Sequence, residues 1–151
     1  TIMPNHFHLI LKEIIEGGIK DFMHKFTMSY SKFINAKYGE SGSLFQGKYK
    51  SVLVDTDEFI RYLATYVMVK NPFELFPGGL SSATENFDKA WDWATEYPFS
   101  SLADYAGVRQ SPILDKDILG EIFTTPAEFK ACAKDFIFGR KIEIFDEKIH
   151  E

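Results

Sequence analysis

Cysteine is nearly absent. Cys132 is the one thiol in 151 residues, which excludes an internal disulfide and points to a reducing compartment such as the cytoplasm. It shares a helical face with Phe129, Ala133 and Phe136, the setting of a buried structural thiol rather than a nucleophile. No apolar run approaches the roughly 20 residues of a membrane span, so no membrane partner is expected. Internal repeats and low-complexity segments are missing as well. A surplus of positive charge is also lacking: the net charge of −5 argues against indiscriminate nucleic-acid binding.

What is present is apolar and aromatic. With 45% hydrophobic and 16% aromatic residues, a chain of this length can bury a sizeable core, and one domain is the default. Charge is unevenly distributed. Residues 1–70 carry 9 Lys/Arg against 7 Asp/Glu, whereas residues 71–151 carry 8 against 15. Within 20–50 there are 6 lysines and only Asp21 and Glu40 in opposition. An anionic partner therefore belongs to the first half, although a solvated helix face explains the same lysines.

The apolar pattern predicts two strands, "HFHLILKEI" (6–14) and "LFQGKYKSVLV" (44–54), the second with a glycine suited to a bulge. Between them Ile19, Phe22, Met23, Phe26, Tyr30, Phe33 and Ile34 recur at helical spacing, giving a helix over about 19–37. Asp55 or Thr56 caps the next helix, whose stripe is Phe59, Ile60, Leu63, Tyr66 and Val67. Asn71-Pro72 is expected to end it, because the residue before proline avoids helical geometry. Helices near 83–96, 100–106 and 115–122 follow, then one opened by Thr125-Pro126-Ala127-Glu128, a capping box with proline at the first position. Two strands alone make a marginal sheet. The missing partners are expected from a segment upstream of Thr1, which is not methionine, or from another chain.

His6 and His8 stand one residue apart in the first predicted strand. Alternation puts both on one face, with Cα atoms roughly 6–7 Å apart at about 3.3 Å per residue. Two imidazoles at that spacing can converge on one ion, with a third donor from elsewhere. Two hydrogen-bonded or surface histidines are the plainer alternative. His24 and His150 have no partner motif.

Four stretches, in order, carry a resemblance. "MPNHFHLIL" is similar to the His-hydrophobic-His strand of the HUH single-strand nucleases, specifically the single-tyrosine transposases. "GSLFQGKYKSVLVD" (42–55), "YVMVKNPFE" (66–74) and "YPFSSLADYAG" (97–107) resemble the REP-associated branch of that family. The likeness spans residues 1 to about 107. It implies an α+β fold, a ferredoxin-like or RRM-like antiparallel sheet with helices on one face, lacking its front β-α-β portion. The implied organisation is an HUH-transposase-like domain at 1–107 and a helical extension at 108–151 packed on it.

The resemblance also implies a chemistry. A divalent ion, Mg²⁺ or Mn²⁺, would be held by His6, His8 and a polar side chain from the helix bearing a nucleophilic tyrosine. That tyrosine would cut single-stranded, hairpin-bearing DNA and form a 5′-phosphotyrosyl link. By position the nucleophile is Tyr66, with Tyr62 in reserve; the residues alone would make Tyr66 a core aromatic. Relatives place the third ligand, Asn or Gln, four residues after the tyrosine. Here that position is Lys70, and Asn71 is five on, so either the helix end tightens or bulges to bring Asn71 to the ion, or Lys70 contacts phosphate instead, or metal binding is weakened. Gln46, Lys48, Tyr49 and Lys50 are candidate DNA contacts, against the alternative of a strand with its polar side in water. A homodimer is the implied assembly. A non-catalytic nucleic-acid-binding module of the same fold, and a helical domain with idle histidines, remain the competing readings.

Overall fold

The structure, a computed structural model, describes residues 1–139; His150 and the end of the predicted 108–151 extension lie outside them. Helices α1 to α8 span Gly18–Tyr38, Asp57–Thr65, Asn71–Glu74, Gly79–Glu85, Phe87–Glu96, Leu102–Tyr105, Asp117–Ile122 and Pro126–Phe138, with a π-helical turn, Tyr66–Lys70, joining α2 to α3. Among the described residues no helix is long and apolar enough to cross a membrane. The chain forms two compact units: residues 1–9 with the chain from 53 onward, and residues 10–52.

The expected antiparallel α+β sheet is overturned. Among the described residues β-pairing amounts to one isolated antiparallel bridge, Ile2 with Phe7. Neither 6–14 nor 44–54 forms a strand. A strand is held by the N–H and C=O groups of a neighbour and by an apolar face laid on a core. These runs gain neither: Ile14 and Leu53 are 88% and 83% exposed. Their strand-like composition is a propensity without a ladder, and context decides such cases.

In the smaller unit α1 dominates. Gly17 and Gly39 bound it in left-handed conformations (φ 77° and 69°), and the Gly39 N–H closes on the Asn35 carbonyl. Phe22, Phe26 and Tyr30 stack along it with ring centroids 5.8 and 6.2 Å apart. Met23 is buried, whereas Phe22, Tyr30 and Phe33 are exposed.

The larger unit holds the main core. Thr56 Oγ1 accepts the Phe59 N–H at 3.1 Å, fixing the start of α2, with Asp57 and Glu58 at the positive end of its dipole. Thr125 and Glu128 form the expected capping box of α8. Tyr62 on α2 meets Phe136 on α8 edge-on at 4.7 Å. Phe129 of α8 packs against Phe123 at 4.9 Å and Trp91 of α5 at 6.0 Å. The Trp-bearing region is two helices, α4 and α5, because Asn86 leaves helical geometry (φ −121°, ψ 44°) between them.

Pro72 does not end its helix, contrary to expectation. The Asn71 N–H bonds the Tyr66 carbonyl, five residues back, and the helix runs on through α3. Proline disrupts a regular helix by lacking an N–H and crowding the carbonyl four residues earlier. Here that carbonyl belongs to Met68, and Ser100 Oγ donates to it at 3.3 Å. The widened turn makes room for the ring, and the serine serves the carbonyl.

Candidate functional site

Residues 1–8 fold back on themselves around Pro4-Asn5. The Met3 N–H bonds the His6 carbonyl at 2.8 Å, and the His8 N–H bonds the Thr1 carbonyl at 2.9 Å. With the chain extended past this bend, His6 and His8 flank Phe7, and their rings meet edge-on, centroids 5.0 Å apart. His8 in turn lies edge-on to Tyr66, centroids 5.9 Å apart. Two imidazoles and a phenol, 58 or more residues apart in sequence, thus form one contiguous row.

The two imidazoles differ in setting. His6 is exposed, and its Nδ1 lies 2.6 Å from Asn5 Oδ1. An amide oxygen only accepts, so Nδ1–H is the donor of that bond. His8 is half-buried, and burial pulls its pKa down to about 4. The charges of His6 and the N-terminal ammonium add to this, Lys70 contributes a little, and Glu74 opposes. At neutral pH His8 is therefore uncharged, the form that can donate a lone pair.

Tyr66 is buried to 4% exposure and stacks on Tyr62 at 6.1 Å. Lys70 Nζ sits 4.5 Å from the Tyr66 ring centroid and 2.9 Å from Glu74 Oε1. The π turn bears directly on Asn71. An i→i−5 hydrogen bond brings the backbone of the fifth residue over Tyr66, as the fourth stands in an α-helix. Asn71 is 2% exposed, and its Nδ2 has no hydrogen-bond partner. That orphan atom is an N–H donor, which calls for an acceptor rather than a cation. Among the described residues no three of His, Cys, Asp and Glu come together as a metal cluster.

Gln46, Lys48, Tyr49 and Lys50 are exposed and belong to the smaller unit, residues 10–52. Cys132 is half-buried, and burial pushes its thiol pKa up, which disfavours the reactive thiolate.

Sequence reasoning missed three participants. Asn5 hydrogen-bonds the His6 ring, and Glu74 holds Lys70. Ser100 joins the His-bearing bend to the Tyr-bearing helix: its Oγ lies 3.0 Å from Thr1 Oγ1 and donates to the Met68 carbonyl. Asn5 adjoins a histidine and Glu74 stands four after a lysine on a helix, both local signals. Ser100 has none, since its partners are 32 and 99 residues away.

Residues 1–70, just under half of the chain, match the family model described as "Transposase IS200 like". The match supports the transposase family; it includes His6, His8, Tyr66 and Lys70 and stops one residue before Asn71. No curated protein and no solved structure matches.

Proposed function

We propose that this chain is an IS200-like transposase that cleaves and rejoins single-stranded DNA through a tyrosine ester. The observation that carries the reading is the row His6–His8–Tyr66, with centroid separations of 5.0 and 5.9 Å. The family match over residues 1–70 supports the same class.

The donor set suits a divalent cation: the imidazoles of His6 and His8, with the amide oxygen of Asn71 as the third donor. Imidazole and amide donors favour Mn²⁺ over Mg²⁺. When bound, such an ion withdraws charge from the phosphoryl oxygens. The chain's own residues do the rest. Tyr66 Oη attacks the phosphorus as the phosphorus–oxygen bond to the 3′ side breaks, and the proton given up by the phenol passes through solvent to that leaving oxygen, which becomes a free 3′-OH. The 5′ side remains as a phosphotyrosine, and attack by a 3′-OH reverses the step without another energy source. Lys70, 4.5 Å from the ring centroid, supplies positive charge near the attacking oxygen and the phosphate. Gln46, Lys48, Tyr49 and Lys50 contact the strand's backbone and bases, and the active species is a homodimer.

The test is a denaturing gel of labelled hairpin-bearing single-stranded DNA incubated with Mn²⁺. A band shift that resists boiling, needs the metal and disappears in Tyr66→Phe is the expected outcome. A labelled strand that never becomes protein-linked, while still binding in a salt-sensitive way, would leave a non-catalytic nucleic-acid-binding module.

A further inference from the structure

We infer that Ser100 is a positioning residue that sets the distance between the histidine-bearing bend and the Tyr66 helix; this rests on the proposed function for its catalytic meaning, and on geometry alone for its structural one. The bend at residues 1–8 has little of its own to hold it. One isolated bridge and a few backbone bonds close it, and a short two-stranded bend is marginal in water. Three hydrogen bonds tie it to the 97–100 segment. Tyr97 Oη donates to the Ile2 carbonyl at 2.7 Å, the Ile2 N–H bonds the Phe99 carbonyl at 2.8 Å, and Thr1 Oγ1 pairs with Ser100 Oγ at 3.0 Å.

Of these, Ser100 alone bonds both sides. Its hydroxyl donates to the Met68 carbonyl at 3.3 Å, inside the π turn, and accepts the Leu102 N–H at 3.2 Å. Ser100 is 3% exposed, so its hydroxyl has been withdrawn from water and its bonds are made with protein. A hydroxyl offers one proton and two lone pairs. With the proton on Met68 and one lone pair on Leu102, the second lone pair takes the proton of Thr1 Oγ1. The assignment is therefore complete: Ser100 is saturated, and each bond fixes a different element.

The placement on Met68 explains why a serine is useful there. Pro72 has no N–H to give the Met68 carbonyl, and the π turn that tolerates Pro72 also carries Tyr66 and Asn71. The hydroxyl that supports the irregular turn is the one that anchors the bend. The His8–Tyr66 contact then follows from a chain of short bonds: Tyr66 helix to Met68 carbonyl, to Ser100, to Thr1, and across the Thr1–His8 pairing to His8.

The test compares Ser100→Ala with Thr125→Ala, which removes the α8 cap and lowers stability without touching the bend. The geometric readout is the nuclear Overhauser contact between the His8 and Tyr66 rings, together with the position of the His8 Hε1 resonance. In Ser100→Ala the contact is lost and the resonance moves; in Thr125→Ala both stay. Covalent-adduct formation, at equal folded fraction, falls on the order of 10²-fold in Ser100→Ala only, the scale of roughly 1 Å misplacement. Thr1→Val, which removes a surface arm of the same network, gives the same ring-contact loss if Ser100→Ala fails to fold. A retained His8–Tyr66 contact in the folded variant would overturn the inference. If the wild type forms no adduct, the proposed function fails while the ring contact still decides the role of Ser100.

Discussion

His8 presents its imidazole edge-on to the Tyr66 ring, centroids 5.9 Å apart and planes at 85°. An edge-to-face pair of this kind contributes about 0.5–1.5 kcal/mol beyond area burial, so it persists without the hydroxyl. Tyr66→Phe should accordingly keep the fold, with a change in stability of about 1 kcal/mol or less, and abolish the covalent DNA adduct. Tyr62→Phe, one turn away and stacked on Tyr66, should retain the adduct. An adduct surviving in Tyr66→Phe but missing in Tyr62→Phe would transfer the chemistry to the earlier ring.

Burial holds the pKa of His8 down to about 4, against an ordinary 6.5. Below pH 6.5 the unfolded chain binds a proton that folded His8 refuses. The contribution of His8 to stability is thus fully present above pH 6.5 and is lost as pH falls through about 4. Urea midpoints should drop between pH 7 and pH 5 in the metal-free protein, and the drop should shrink in His8→Gln. An NMR titration placing His8 near 6.5 would contradict the burial described here.

That His6 and His8 lie together was legible from alternation in an extended chain; Tyr66 was singled out by the resemblance, and spacing alone made it the core aromatic that its 4% exposure shows. The helices were legible from local signals, since Thr56, Thr125 and Gly39 act within a turn of themselves. The sheet was misread because β composition at 6–14 and 44–54 says nothing about whether a ladder partner exists. The continuation through Pro72 was misread because its remedy is non-local. Ser100 reaches Met68 from 32 residues away, and no window around Pro72 contains it.

Asn71 offers a test in which two effects have opposite signs. Asn71→Asp places a carboxylate where an amide is 2% exposed with an unpartnered atom. Without metal this should destabilise the fold by about 1–3 kcal/mol, the cost of a poorly satisfied buried polar group. With Mn²⁺ the same carboxylate is a better ligand than an amide, so the melting-temperature gain on adding the ion should exceed that of the wild type. Equal gains in the two proteins would remove Asn71 from the ligand set, leaving the two imidazoles with a donor from substrate or water.

The exposed basic residues of the smaller unit give the last expectation. Lys48 and Lys50 stand in a stretch, 40–56, that gains no sheet, and both are exposed. Exposed lysines without a structural duty can neutralise phosphates at small cost to the fold. Each phosphate contact on a single strand contributes about 0.7 to the slope of log K against log salt. Lys48→Ala with Lys50→Ala should therefore flatten that slope by roughly 1.4 if both touch backbone, while the thermal midpoint stays close to that of the wild type. Tyr49, exposed between them, should behave differently. Its replacement by leucine should weaken binding by about 1–3 kcal/mol, the worth of one stacked base, and leave the slope unchanged. An unchanged slope in the double lysine variant would assign Lys48 and Lys50 to solvation alone.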